Sequence, residues 1–189
     1  MIVNIEPILE FKEIVPLLTE CGLSVADISS SQPLHFFGMY SESSLVAVVG
    51  LELFGTVALL RSLAVSPAYR GQKLARELVT YAESFAASRG VDSLFLLTTT
   101  ASTFFGKLGF VPALRSAAPP EIQTTAQFSI LCPASSAFLC KTVAGLTLRS
   151  SGSTVSIPRA CAARAVDCLP LVKARSPLAS RGSKCHRKH

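Results

Sequence analysis

Leu59-Leu60-Arg61-Ser62-Leu63-Ala64-Val65-Ser66-Pro67-Ala68-Tyr69-Arg70-Gly71-Gln72-Lys73-Leu74-Ala75-Arg76-Glu77-Leu78 changes character at Pro67. Before the proline it is a mostly apolar run that a buried strand can hold. After it, Leu74, Leu78, Ala82 and Phe85 recur as one face of a helix. That helix stops near Arg89-Gly90, a basic last turn followed by a glycine. The segment therefore reads as strand, tight turn and helix start. A helix start leaves backbone N–H groups without partners and presents the positive end of the helix dipole, so it can hold a phosphate. Gly71 permits the turn, and Ala75 leaves the approach to the helix unobstructed. On these grounds alone the segment is either an anion site or an ordinary connection.

Upstream of it, residues 35–40, 44–54 and 56–66 are rich in leucine, aromatic and β-branched residues, with Ser41 to Ser43 and Gly55 as punctuation. They predict an antiparallel meander. Ile8, Phe11, Ile14, Val15 and Leu18 form a stripe at helical spacing ending at Cys21-Gly22. Pro16 interrupts it, and an interior proline costs about 3 kcal/mol, so a kink or a helix in two pieces is expected. A short helix capped by Ser24 is expected over 24–28, and a first strand over 2–5.

Downstream, the pattern predicts a strand at 93–98, a short helix at 102–108 closed by Gly109 and a strand at 110–114. A helix at 119–131 with proline at its entry and a last strand at 136–142 follow. The fold class is α+β, a twisted mixed sheet flanked by helices.

The formal net charge of +6 is unevenly distributed. Residues 1–142 carry 9 Lys and Arg against 11 Asp and Glu, whereas 143–189 carry 9 against 1. The basic character belongs to the tail. Residues 144–189 sustain neither period and are expected to be largely disordered, leaving 1–143 as the domain. The abrupt step fits a native basic tail, a shifted reading frame or read-through past the natural end. The tail has no aromatic interleaving or compact basic helix, so no specific nucleic-acid or membrane binding is expected of it.

No apolar run approaches the length of a membrane span, and the first residues do not read as a leader, so a cytoplasmic protein is expected. The six cysteines show no CxxC pair and are expected to be free thiols. Cys185, His186 and His189 lack a recognised metal spacing, and no metal site is expected.

Arg70-Gly71-Gln72-Lys73-Leu74-Ala75, following Leu63-Ala64-Val65-Ser66-Pro67, resembles the acetyl-coenzyme A signature of the GNAT acetyltransferase superfamily, Arg/Gln-x-x-Gly-x-Gly/Ala. The resemblance implies that Leu63, Ala64 and Val65 pair with the pantetheine arm. It also implies that Arg70, Gly71, Gln72, Lys73, Leu74 and Ala75 form the pyrophosphate site. Lys73 stands where the family has a glycine.

Phe104-Phe105-Gly106-Lys107-Leu108-Gly109-Phe110 resembles the family's Tyr-x-Lys-x-Gly-Phe, with Phe105 in place of the tyrosine that often protonates the departing thiolate. A water or a hydroxyl of Thr98, Thr99 or Thr100 would have to serve, or the thiolate would leave unassisted.

Four stretches look narrower still: Gly50-Leu51-Glu52, Leu59-Leu60-Arg61-Ser62-Leu63, Leu96-Leu97-Thr98-Thr99-Thr100 and Phe128-Ser129-Ile130-Leu131-Cys132-Pro133. They are similar to N-acetyltransferases encoded in bacterial arsenic-resistance operons.

The implied reaction is direct acetyl transfer from acetyl-coenzyme A to the amine of a small amino-acid-like acceptor, an arsenical or related compound among the options. Such a reaction needs a polarised carbonyl and a route for protons. Glu52 is the candidate general base; the alternative is a solvated strand-end carboxylate or a partner of Arg61. Arg61 either clamps an acceptor carboxylate or only pairs with Glu52. Ser62 and Thr98 are the other candidate acceptor residues. Cys132 and Cys140 are either thiol ligands for an arsenical or buried structural cysteines. The rival reading is a coenzyme-binding regulator without turnover, and a homodimer remains open.

Overall fold

The structure, a computed structural model, describes residues 4–28 and 34–143. Seven strands form one mixed sheet: β1 (Ile5–Ile8), β2 (Leu34–Ser41), β3 (Ser44–Phe54), β4 (Val57–Val65), β5 (Ser93–Thr98), β6 (Val111–Pro112) and β7 (Ala137–Thr142). Their order is β1-β2-β3-β4-β5-β7-β6, and only β4 and β5 run parallel. Helix α1 is Val15–Glu20, α2 Leu74–Ser88, α3 Ser102–Gly106 and α4 Pro120–Gln123. The mixed α+β architecture is the one the sequence predicts.

The meander forms within a residue or two of the predicted bounds because its apolar runs are sharply punctuated. Ser41 pairs with Ser44 across a two-residue loop in which Glu42 and Ser43 both have positive φ, 49° and 68°. This is the sense of turn that matches strand twist.

Two faces separate by alternation along the strands. On one, Phe37, Val49, Leu51 and Leu60 meet Leu74, Leu78, Val79, Ala82 and Ala86 of α2 in the largest core cluster. On the other, Ile8, Phe36, Val48 and Ala64 meet Ile14, Leu17 and Leu18 around α1, and Leu59, Phe95 and Phe138 meet Ile122 of α4. Each fully buried large apolar side chain contributes roughly 1.5–3 kcal/mol.

The departures from expectation have local causes. The stripe expected as a kinked helix or a helix in two pieces begins as strand β1, continues as a 3-10 turn at Phe11–Glu13, and is α-helical only from Val15. Pro16 sits in the first turn of α1, where its missing N–H costs nothing. Of the first strand expected at 2–5, residues 2 and 3 lie outside the described residues, and β1 starts at Ile5. No helix forms at 24–28; Ser24 Oγ instead accepts from Ala26 N at 3.3 Å in a turn.

The strand expected at 110–114 shrinks to Val111–Pro112 on the sheet edge, where a proline is tolerated. The helix expected over 119–131 breaks after α4 and resumes as a π-helical turn at Gln127–Leu131. Thr124 and Thr125 hydroxyls bond back to Glu121 O (2.8 Å) and Ile122 O (2.7 Å), and Phe128 N donates to Thr125 Oγ1 (3.2 Å). These side-chain bonds compete with the helical ladder.

Cys21 and Cys132 are free, but Cys140 is disulfide-bonded, which corrects the expectation of free thiols throughout. The tail expected to be disordered, 144–189, lies outside the described residues. No helix among the described residues is long and apolar enough to cross a membrane.

Candidate active site

β4 and β5 are paired only from Val57 with Ser93 to Leu59 with Phe95. β5 stays with β7 as far as Thr98, opposite Ala137, while β4 runs on to Val65 beside β3. The sheet therefore opens between its two parallel strands. A cleft of about 390 Å³ occupies the opening, with Arg61, Ser62 and Leu63 on one side and Thr98, Thr99 and Phe105 on the other. Openings of this kind at the carboxyl ends of parallel strands are where sheets accommodate ligands.

A bulge marks the same stretch of β4. Val48 faces Ala64 and Gly50 faces Arg61, so Ser62 and Leu63 together oppose Val49. Ser62 has φ of 51°, an uncommon conformation for a residue with a side chain. A bulge takes backbone polar groups out of the ladder. Here they are released at the wall of the cleft.

Beyond β4, the turn behaves as its glycine predicts. Gly71 has φ of 80°, with open space where a Cβ would stand. Lys73 also takes the left-handed conformation, φ 66° and ψ 6°, as the residue before α2. No side chain caps this helix start. Arg76 N and Glu77 N donate to Lys73 O at 2.9 and 3.2 Å, and the amides of Gln72 to Ala75 precede them, as the open groups of a helix start do. An unobstructed start of this kind fits a pyrophosphate, and the left-handed turn fits a glycine signature in which lysine substitutes. Arg70 folds back, donating through Nε to Val65 O at 3.2 Å. Arg70 to Ala75 are not part of the cleft lining.

The cleft wall carries a buried ion network. Arg61 donates through Nη1 to Glu52 Oε1, through Nη2 to Asp27 Oδ1 (2.5 Å) and through Nε to Ser62 Oγ (3.4 Å). The Arg61, Asp27 and Glu52 side chains are 2%, 8% and 6% exposed. Burial opposes the charge on Arg61, but the hydrogen bonds and charges of Asp27 and Glu52 outweigh it and raise the guanidinium pKa. Gly50 makes room for the arginine, because a Cβ there would stand 3.2 Å from Arg61 Cγ and 2.7 Å from a Phe36 ring carbon.

The network runs on through Gln127, whose Nε2 donates to Asp27 Oδ2 (3.5 Å) and whose Oε1 accepts from Cys132 Sγ (3.5 Å). Burial pushes the Cys132 thiol up, opposed by the charges of Arg115 and Arg61 and reinforced by that of Asp27.

The candidates thus fall into two groups. Arg61, Ser62, Leu63 and Thr98 line the cleft, while Glu52 lies behind Arg61 and is not among its lining residues. Both guanidinium η nitrogens are held by protein carboxylates, which takes up the carboxylate-binding fork considered from sequence. Thr98 Oγ1 accepts from Ala101 N at 2.9 Å, tying the hydroxyl to the entry of α3. Phe105 is buried against Phe104 and Phe110, with ring centroids 5.1 and 5.5 Å away.

Asp27 and Gln127 were not among the sequence candidates. The signal that could have found Asp27 is the arginine itself, since a guanidinium in an apolar strand offers more donors than Glu52 can satisfy.

The profile of the acetyltransferase (GNAT) family matches residues 5–110, more than half of the chain. The chain belongs to the GNAT acetyltransferase family. Among solved structures it is similar to N-acetylglutamate synthase from Neisseria gonorrhoeae complexed with coenzyme A and N-acetyl-glutamate. The identity is 19% with TM-score 0.60, covering 76% of this chain and 35% of that one. The chain thus spans about a third of that protein's length.

It is also similar to aminoglycoside 6'-N-acetyltransferase complexed with coenzyme A, at 16% identity and TM-score 0.57, covering 75% of this chain and 97% of that one. The ribosomal-protein-S18-alanine N-acetyltransferase from Escherichia coli gives 16% and 0.59, covering 83% and 100%. At these identities the likeness is one of fold. No curated protein matches the chain.

Proposed function

We propose that this chain is a cytoplasmic N-acetyltransferase whose catalytic unit spans residues 1–143. It transfers the acetyl group of acetyl-coenzyme A directly to the amine of a small amino-acid-like acceptor. The observation that carries the reading is the parting of β4 from β5 beside an uncapped helix start. Acetyl-coenzyme A supplies the thioester, with the coenzyme thiol as leaving group.

Leu63, Ala64 and Val65 present strand backbone to the pantetheine arm, and the amides of Gln72 to Ala75, with Gly71 and Arg70 shaping the turn, hold the pyrophosphate. Backbone N–H groups released at the Ser62–Leu63 bulge polarise the acetyl carbonyl. Glu52, held by Arg61 and set back from the cleft, takes the amine proton through a water. Ser62 and Thr98 orient the acceptor, and Arg61, its η nitrogens held by carboxylates, positions Ser62 through Nε. Phe105 offers no proton, so water or a threonine hydroxyl from Thr98 to Thr100 serves the departing thiolate.

The arsenic-operon resemblance makes an amino-acid-like arsenical the first acceptor to try. A non-catalytic acyl-coenzyme A-binding regulator is the second reading, favoured by the ion-paired state of Glu52 and by Phe105. Thiol release with a panel of amino acids and amino-acid-like arsenicals separates the two. Release dependent on one acceptor supports the enzyme, and coenzyme binding without release on any acceptor supports the regulator.

A further inference from the structure

A second cavity, of about 420 Å³, lies at the opposite side of the sheet, where β1 ends. Ile8, the last residue of β1, pairs with Phe36, so Leu34 and His35 of β2 run past the end of that edge strand. The rings of Phe11, Phe37, Tyr81 and Phe85 surround the gap. Phe37 packs on Tyr81 and Phe85 at centroid distances of 4.9 and 4.8 Å, which gives the cavity a fixed aromatic wall.

Its polar lining is basic. His35 lies against the Phe85 ring at 5.2 Å, and the Arg89 guanidinium stands 4.7 Å from the same ring. One phenylalanine thus carries two basic groups. Burial, and then the charge of Arg89, hold the His35 pKa below its ordinary range. Among the described residues the other titratable group in the lining is the Tyr81 phenol, and none of them brings a carboxylate to the cavity. Among the described residues the ion pairs are Lys12–Glu10, Arg61–Asp27, Arg61–Glu52 and Lys141–Glu83, and none of them involves His35 or Arg89. The carbonyl end of α2 is close by, but Arg89, Gly90 and Val91 N–H groups cap Ala86 O and Ala87 O, which limits its repulsion of an anion.

We propose that this cavity is a binding site for a small aromatic carboxylate, its ring on the wall of phenylalanines and its carboxylate between His35 and Arg89. Aromatic and cationic groups together recognise such a molecule by stacking and by charge-assisted hydrogen bonds. The anion relieves the repulsion between the two basic groups, so binding strengthens as pH falls and His35 takes a proton.

Phenylpropionate is the probe and phenylpropanol its neutral control, titrated calorimetrically into the full chain with and without saturating coenzyme A. Histidine ring NMR is followed alongside, with His35→Gln assigning the signal. The acid binds at least about tenfold more tightly than the alcohol, Arg89→Gln weakens it by at least about tenfold, and the His35 signal titrates at higher pH in its presence. Arg89 is exposed, so its replacement leaves the core untouched. Equal binding of acid and alcohol, no binding of the acid, an unchanged affinity in Arg89→Gln, or displacement of the acid by coenzyme A would each overturn the proposal.

Discussion

Arg61 and Asp27 form an ion pair of 2.5 Å within the wall of the cleft, joining β4 to a turn where the sequence pattern predicts a short helix. With Glu52 on its other nitrogen, this arginine is a cation between two buried carboxylates. Removing one partner of such a network leaves a buried charge uncompensated, which costs about 3–5 kcal/mol. Arg61→Met is therefore expected to lower unfolding stability by that amount, measured by urea denaturation. Asp27→Asn costs less, because the Glu52 pair survives. A loss below about 1 kcal/mol in Arg61→Met, the range of exposed pairs, would remove the network from the account.

Lys73 pays a backbone cost for standing where the family signature has glycine. A left-handed conformation costs a residue with a Cβ roughly 1–2 kcal/mol, so Lys73→Gly is expected to raise stability by about 1 kcal/mol. It should also leave coenzyme affinity equal or better. Gly71→Ala runs the other way, since φ of 80° suits glycine, and is expected to lower both. Paired melting curves and coenzyme titrations check the two signs together.

Phe105→Tyr places a hydroxyl in the cleft where a general acid would stand. Such an acid contributes ~10²–10⁴-fold where proton transfer limits the rate. The variant is expected to release thiol at least about tenfold faster at saturating substrates, with KM little changed. A rate equal to the parent's would mean that the departing thiolate needs no help.

Tyr40 donates to Glu13 Oε2 at 3.0 Å, and burial, that bond and the charges of Glu13 and Glu6 push its pKa up to about 12 from 10.0. Between those values the folded chain keeps a proton that the unfolded chain has lost. The contribution of Tyr40 to stability is thus complete below pH 10 and is lost as pH rises toward 12. Tyr40→Phe should flatten this alkaline decline in denaturation midpoints, and an unchanged slope would assign the decline elsewhere.

The parts legible in the sequence are those whose physics is local. Helix α2 was read from Leu74, Leu78 and Ala82 because one period persists through the element. The hairpin at Glu42 and Ser43 was read from a break between two apolar runs. Lys73 and Phe105 stood out as departures from a pattern. Asp27 and Gln127 were not legible, because what makes them matter is proximity to Arg61 and to each other across the fold. The π-helical turn that brings Gln127 to the cleft was hidden for a related reason, since threonine hydroxyls at 124 and 125 divert a segment whose composition suits a longer helix.

The central claim is that the opening between β4 and β5, with the uncapped start of α2, holds acetyl-coenzyme A. Calorimetric titration of acetyl-coenzyme A into the full chain tests it directly. The account predicts saturable binding at one site, weakened by Gly71→Ala; absence of binding at millimolar ligand would contradict it.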